Sequence, residues 1–230
     1  ATATPSPTAT VIPTATPISA TVVEQATTAE AVVIIEAATA TEAATVLESL
    51  TSQKAAEIVE VLGTTKAVTI LEVLGAAKAA EIIEEVTTAK AAEIIELLTT
   101  AKAADIVEQI TTAKAAEVIE QVSTAKAAEI FEVIDTQKAA SIVTELTTAK
   151  ASDILAEVAP ARAGAILEVA NIATVIAIVG VMSEAKLIER LPEMSAAKLF
   201  EIPADVLFAK LTSVPVSQLA FETPPQVDPN

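Results

Sequence analysis

The chain has 230 residues, of which 52% are hydrophobic, and it contains no Cys, His, Trp or Tyr. These absences remove the usual general acid or base near neutral pH, the soft metal ligands and the imidazole that activates a hydroxyl nucleophile, so no enzyme is expected. The net charge of −17 opposes binding to nucleic acids or anionic lipids, and it favours basic partners or hard cations.

The N-terminal stretch ATATPSPTATVIPTATPISA is uncharged and rich in Thr and Pro, which predicts an extended arm that docks on its own chain or on a neighbour. The chain begins with Ala1, as expected after removal of a signal peptide; the alternative is an artificial boundary. We therefore expect a secreted or cell-surface protein. The predicted regions are this arm (1–20), a helical-repeat solenoid (21–182), C-terminal capping repeats (183–220) and an extended tail (221–230).

A twelve-residue repeat runs through most of the chain without an insertion. It is clearest in the consecutive stretches TTAKAAEIIELL, TTAKAADIVEQI and TTAKAAEVIEQV. A fixed period of this kind is the signature of a repeat architecture. A degraded seventeenth unit is expected to begin at Leu207. The sixteen clear units begin at Ala15, Thr27, Thr39, Thr51, Gly63, Gly75, Thr87, Thr99, Thr111, Ser123, Asp135, Thr147, Ala159, Asn171, Ser183 and Ser195.

Each unit predicts one short helix. Positions 5, 8, 9 and 12 are apolar, as at Ala91, Ile94 and Leu98, which is the spacing of one helical face. Position 1 is a helix-capping residue in fourteen of the sixteen units, and Pro160 falls at position 2, the first helical residue, where proline is tolerated. Twelve residues leave the apolar stripe rotated by about 120°, so each unit must cap, bend and restart. The sequence predicts an all-α fold, an α-solenoid of about 16 short capped helices.

The stretches TTAKAAEIIELL, STAKAAEIFEVI and SEAKLIERLPEM resemble the short-helix repeats in the cytoplasmic N-domain of MgtE-type magnesium transporters. The resemblance covers about residues 27–206, and it implies a right-handed superhelix of short helices separated by Pro or polar bends. It also implies a divalent-cation-responsive regulatory module as one functional alternative. No paired regulatory domain or multi-span membrane region is recognisable in the sequence, so a transporter role is not expected.

Most charged side chains occupy fixed positions of the repeat. Thirteen of the fourteen Lys and Arg residues lie at position 4, the exception being Arg190, and position 10 is Glu in eleven units. Both placements oppose the helix dipole, which favours acids in the first turn and bases in the last. We expect Lys columns to lie beside Glu columns of adjacent helices or of a neighbouring subunit; alternatively, the charges are simply retained from duplication. The assembly candidates are Lys90, Lys102, Lys114, Glu96, Glu108 and Glu120.

A second acidic row lies at position 7, one helical turn before position 10. Such rows can bridge Ca²⁺ or Mg²⁺ weakly between molecules. No dedicated metal site and no cofactor are expected, because the sequence contains no Asp-rich loop with glycine-turn spacing.

Residues 159–182 are almost uncharged. The uncharged run after Glu168 has about 14 residues, fewer than the roughly 20 that a membrane-spanning helix needs, so no membrane span is expected. We expect a partner subunit or the folded-back arm to cover this region. Its assembly candidates are Ile172, Val175, Ile176, Ile178, Val179, Val181 and Met182. Further along, a terminal cap that closes the hydrophobic stack is predicted from Pro192, Pro203, Pro215, Phe200, Phe208 and Phe221.

These features favour a non-enzymatic extracellular structural protein, an α-solenoid that associates with itself into a filament, sheath or surface layer. The expected partner is therefore another copy of the chain, in a homo-oligomer or polymer. Two alternatives remain: a monomeric surface scaffold or adhesin that grips a basic peptide or glycan, and the cation-responsive module.

Overall fold

The computed structural model describes residues 18–211, and the regular elements in this range are all helical. Seventeen α-helices and one short 3-10 helix follow one another along the described chain. Their bounds are α1 (Ala20–Gln25), α2 (Thr28–Ala37), α3 (Ala40–Ser49), α4 (Ser52–Val61), α5 (Thr64–Val73), α6 (Ala76–Glu85), α7 (Thr88–Leu97), α8 (Thr100–Gln109), α9 (Thr112–Gln121), α10 (Thr124–Val133), α11 (Thr136–Glu145), α12 (Thr148–Glu157), α13 (Pro160–Val169), α14 (Ile172–Val181), α15 (Glu184–Arg190), the 3-10 helix (Leu191–Glu193), α16 (Ala196–Phe200) and α17 (Ala204–Lys210).

The predicted register is confirmed from α2 to α14, because each of these helices spans positions 2 to 11 of one unit. Position 1 is the N-cap; the hydroxyl of Thr87, for example, accepts the backbone N–H of Lys90. Position 12 and the next N-cap are extended, with ψ of 154° at Leu98 and 148° at Thr99. This two-residue bend separates successive helices. Pro160 opens α13, where its missing N–H is tolerated.

The helices stack as a superhelix in which each one packs most closely against the second helix along the chain. Thus α4 contacts α6, α6 contacts α8, and α8 contacts α10, while the odd-numbered helices from α3 to α13 contact one another in the same way. Hydrogen bonds between turns join residues 27, 28 or 29 apart in sequence. One superhelical turn therefore takes about 28 residues, or two and a third repeats.

The core is a continuous column of the predicted apolar positions. In α7, Ala91, Ile94 and Ile95 are fully buried, and Leu98, which follows the helix, is 2% exposed. Position 6 is buried as well, since Ala92 is 6% exposed. Small side chains at positions 5 and 6 let the helices of neighbouring turns approach closely. From α4 to α14 the two large apolar residues at positions 8 and 9 are at most 1% exposed.

The repeat becomes irregular near its C-terminal end. Helix α15 ends at Arg190, and the chain tightens into the 3-10 helix around Pro192, which has no N–H to continue the helical ladder. Pro203 is the N-cap of the last helix, which begins at Ala204. The predicted start of a seventeenth unit at Leu207 is therefore wrong, because this proline starts the helix earlier and Leu207 lies inside it.

Several predictions concern residues outside 18–211. Most of the predicted arm, the whole tail, and the prolines and phenylalanine beyond residue 211 belong to this group. Within the described range, α1 begins at Ala20 with Ser19 as its N-cap, where the arm was predicted to end. The proposed division into arm, solenoid, capping repeats and tail stays a prediction.

Gly164 and Gly180 test how tightly the last turn is packed. A Cβ atom at Gly164 would lie 2.4 Å from the Cβ of Glu193, whereas a Cβ at Gly180 would meet no atom within 4 Å. We expect Gly164→Ala to lower the free energy of unfolding by about 1–3 kcal/mol through overpacking. Gly180→Ala should raise it by about 0.5–1 kcal/mol, since Ala favours the helix. Urea denaturation measures both values, and equal effects would contradict this packing.

Candidate functional surfaces at the turn junctions, helix faces and ends

Nine of the eleven glutamates at position 10 bind the N-terminus of the helix three units later. The carboxylate of Glu96 accepts the backbone N–H of Ser123 at 2.8 Å and its hydroxyl at 2.7 Å. The Ser123 oxygen accepts the N–H of Lys126 at 3.2 Å, so two otherwise free N–H groups of the helix start are satisfied. The same pair of bonds joins Glu24 to Thr51, Glu60 to Thr87, Glu72 to Thr99, Glu84 to Thr111, Glu120 to Thr147 and Glu168 to Ser195. Glu108 and Glu132 accept only the backbone N–H, from Asp135 and Ala159.

Bases at position 4 bind the C-terminus of the helix three units earlier. The ammonium of Lys114 donates to the carbonyl of Val86, the C-cap of α6, at 2.5 Å. Lys78 and Lys126 are only 8% exposed, and no buried side-chain N or O atom of residues 18–211 lacks a hydrogen-bond partner. The same bond joins Lys54 to Ala26, Lys66 to Ala38, Lys78 to Leu50, Lys90 to Leu62, Lys102 to Leu74, Lys126 to Leu98, Lys138 to Ile110, Lys150 to Val122, Arg162 to Ile134 and Lys198 to Ala170.

The predicted Lys and Glu columns meet inside the chain, but no ion pair in its described part joins the two columns. Both residues do lie at the same junction, as Glu96 and Lys126 do between α7 and α10, but each bonds a helix terminus in the other turn. The physical reason is the dipole of the neighbouring helix. A base in the first turn of its own helix reaches the C-terminus of another helix, where a cation is favourable. Pairing with another subunit stays a prediction. The ion pairs found within 18–211 are Lys78–Glu81, Lys186–Glu189, Arg190–Glu189 and Lys198–Glu201, and none joins position 4 to position 10.

Arg190, the one base outside position 4, replaces a lysine at one junction. It is 1% exposed, and its guanidinium donates to the carbonyls of Leu155 at 2.6 Å and Val158 at 3.0 Å. Lys186, which lies 28 residues after Val158, forms an exposed ion pair within its own helix instead. Sequence reasoning missed this role. The available signal was a second base one turn after position 4, in a unit that proline shortens.

The first three units lack the position-4 base. Their residues at this position are Ile18, Glu30 and Glu42, and the structure describes no earlier turn that a lysine there could reach. Glu30 accepts the backbone N–H of Thr27 at 3.0 Å in a capping box, and Glu42 does the same for its own helix. Hydrogen bonds from the Thr27 hydroxyl and backbone N–H lower the pKa of Glu30. These N-termini are thus satisfied without a neighbouring turn.

The last three units lack the position-10 acid. Their residues at this position are Gly180, Pro192 and Ala204. No carboxylate remains there to cap a further turn. The position-4 base is therefore missing from the first described units and the position-10 acid from the last ones, although Thr144, Ala156 and Thr174 interrupt the same pattern inside the stack.

The outward helix faces carry no positive charge. From α2 to α14 these faces consist of positions 3, 7 and 11, which are exposed except for the half-buried Ser141 and Ala165, and no Lys or Arg occupies them. Position 7 of five successively packed helices, α4, α6, α8, α10 and α12, is always acidic and exposed. We call these side chains the acidic column: Glu57, Glu81, Asp105, Glu129 and Asp153.

Hydroxyl groups donate hydrogen bonds to some carboxylates of the acidic column. Ser52 donates to Glu81 at 2.6 Å, and this bond, followed by the contact with Lys78, lowers the pKa of Glu81. Thr100 likewise donates to Glu129 at 2.7 Å. Residues 18–211 contain no group of three or more Asp or Glu side chains placed to hold a metal ion. Bridging of Ca²⁺ or Mg²⁺ between molecules stays a prediction.

The seven apolar assembly candidates divide between core and surface. Four are at most 1% exposed, in the core of the chain itself: Val175, Ile178, Val179 and Met182. The others reach the surface, two of them half-buried and the third 52% exposed: Ile172, Ile176 and Val181. Contact of these three with another copy stays a prediction. None of the helices between residues 18 and 211 is long and apolar enough to cross a membrane.

Comparison with known proteins identifies one family. The sequence profile of the MgtE intracellular N domain matches the chain twice, over residues 18–99 and again over 98–185. Together the two matches cover more than half of the chain and most of the regular helices. No curated protein and no solved structure gives a significant match.

Glu96 tests the turn junction. Glu96→Ala leaves the N–H and hydroxyl of Ser123 without their carboxylate, so we expect the free energy of unfolding to fall by about 1–2 kcal/mol. The matched control is Glu85→Ala, which removes the same charge from an exposed position 11 and should change stability by less than about 0.5 kcal/mol. Urea denaturation compares the two, and equal losses would show that the junction adds nothing.

Glu168 predicts how stability depends on pH. Hydrogen bonds from the Ser195 hydroxyl and backbone N–H hold the pKa of Glu168 below its usual value of 4.5. Because the folded pKa lies below the unfolded one, the carboxylate stabilises the fold above pH 4.5, and this contribution is lost as the pH falls through the folded pKa. We expect a shallower decline of the melting temperature between about pH 5 and 3 for Glu168→Gln than for the natural chain. If the melting temperatures of the two proteins fell by the same amount over this pH range, the prediction would be refuted.

Proposed function

This chain belongs to the family of the MgtE intracellular N domain, and from that we propose that it is a binding scaffold, a rigid acidic superhelix that holds a basic partner on its outward helix faces. The matched domain is a non-catalytic part of magnesium transporters. We accordingly propose no reaction.

One observation carries the proposal: the bases of the repeat are turned towards backbone carbonyls. Eleven of the position-4 bases bond a helix C-terminus. The acids at positions 7 and 11 face solvent. Several at position 7 also accept a hydroxyl hydrogen bond from the neighbouring turn, and Glu81 pairs with Lys78. Ten acids and no base lie on the outward faces from α2 to α14. Together with the net charge of −17 of the whole chain, they attract a positively charged partner over a long range and repel polyanions.

The stack also holds these acids at a regular spacing. Packed helices lie about 8–10 Å apart, so the acidic column offers one carboxylate at roughly that interval. Three residues of an extended chain advance by about 10 Å. The partner that best matches the column is therefore an extended segment with Lys or Arg at every third residue.

The filament, sheath or surface layer expected from the sequence, and the secreted or cell-surface location, remain proposals of lower rank. Their weakness is the pattern of the ends: copies stacked end to end would lack both the Lys and the Glu that join turns elsewhere. A second candidate, a module that responds to Mg²⁺, is favoured by family membership, and it would use the same acidic faces.

Peptide binding tests the scaffold. A labelled peptide with Lys at every third residue should bind the full chain, bind more weakly as salt rises and, when its lysines are exchanged for Glu, not bind at all. A triple variant of the column, Glu81→Gln, Asp105→Asn and Glu129→Gln, keeps oxygen acceptors for the hydroxyls of the neighbouring turn. We expect it to weaken binding about tenfold. Fluorescence anisotropy measures the affinities.

The matched control is Glu93→Gln, Glu117→Gln and Glu145→Gln, which removes the same charge from odd-numbered helices and should cost less than about threefold. Equal losses of affinity in the two variants would show that the acidic column is not the binding site. No peptide binding at low salt would contradict the scaffold function itself. Sedimentation velocity with and without Mg²⁺ tests the rivals: polymers would favour assembly, and a compaction that requires Mg²⁺ would favour the regulatory module.

A further inference from the structure

The C-terminal end of the superhelix leaves core-type side chains partly uncovered. Helices α14 and α17 pack together there. They carry the half-buried Ile172, Ile176, Val206 and Leu207, and Phe208 is 60% exposed. We call these five residues the end surface. In the inner turns, by contrast, exposed large apolar residues occur singly at position 11, a scatter that is normal for protein surfaces.

The last units differ from the inner units at positions 5 and 6, where small residues of the inner units allow close packing of a neighbouring helix. Positions 5 and 6 are Ala-Ala in most inner units, and there Ala92, for example, is 6% exposed. In the last three units the same positions read Val-Ile, Leu-Ile and Leu-Phe. Large side chains at these positions do not allow the close helix approach that two alanines allow. The end surface therefore suits a cover that is not another turn of the repeat.

A second copy stacked on this end would meet unfavourable groups. Its first turn would bring Glu30 and Glu42 to carbonyl ends of the kind that receive a base at most inner junctions, where carboxylate and carbonyl oxygens repel each other. Its N-caps Thr27 and Thr39 already bond their own glutamates. The end surface in turn has no position-10 carboxylate to offer.

We propose that the C-terminal segment of the same chain, residues 212–230, covers the end surface, with its uncharged part TSVPVSQLAF (212–221) in contact. The segment leaves from the right place: Leu211 is 6% exposed, and its N–H bonds the carbonyl of Leu207 at 2.9 Å. Ten extended residues reach about 33 Å, whereas a helix of the length of α17 is about 10 Å long. The segment can therefore lie back across both helices. This inference goes beyond the proposed scaffold function and does not depend on it.

Hydrogen exchange on three variants tests the proposal. Chain 1–211 lacks the segment, chain 1–222 lacks only its polar end, and Leu219→Ser with Phe221→Ser keeps its length. We expect amide exchange in α14 and α17 to become about tenfold faster, or more, in the first and third variants. It should be unchanged in 1–222, and the inner helices α4 to α10 should be unaffected in all three, since a solenoid transmits little beyond its neighbouring turns.

A peptide of residues 212–222 added to chain 1–211 should restore the slow exchange of α17. Two results would overturn the proposal. The first is exchange in α17 that is the same in 1–211, in the double variant and in the full chain. The second is protection of α14 and α17 in the full chain that rises with protein concentration, together with a dimer in sedimentation velocity, because the cover would then be a second copy.

Discussion

The unbonded backbone groups at helix ends are the constraint on which this structure depends. A helix leaves four N–H and four C=O groups without partners inside it, and ten-residue helices make such ends frequent. Residues at positions 1, 4 and 10 of the repeat form hydrogen bonds with these backbone groups. The N-cap hydroxyl acts locally, as Thr87 does for Lys90, whereas the base and the acid reach termini in neighbouring turns. The polar residues at these positions therefore have a structural role.

This use of the bases also shapes the surface. A lysine such as Lys114, bonded to a carbonyl at 2.5 Å, keeps its positive charge but holds it at a helix C-terminus rather than on the outward faces. The acids of the acidic column lie on the outward faces, where Glu81 also pairs with Lys78. The outward faces are therefore anionic, in a chain that belongs to the family of the MgtE intracellular N domain.

The ends of the stack follow from the same contacts. A residue that bonds a neighbouring turn has no partner where that turn is missing. Near the ends of the described chain, Glu30 stands in place of the lysine and caps its own helix, and Gly180 stands in place of the glutamate. In a quasi-one-dimensional protein the terminal turns decide whether the stack stops or continues. Here the terminal units lack polar residues that join turns elsewhere, and α14 and α17 leave apolar side chains partly exposed.

The sequence by itself determined what depends on contacts inside one unit: the helix bounds from α2 to α14, the N-caps, Pro160 at the start of α13 and the buried positions. It also raised the question of charges that oppose the dipole, but it could not name their partners. Those partners lie 27 to 29 residues away, at a distance in sequence set by how many repeats fill one superhelical turn. Only helix packing decides that number, and so only the tertiary structure turned the expected Lys–Glu columns into lysines on carbonyls, glutamates on N-caps and Arg190 in the place of Lys186.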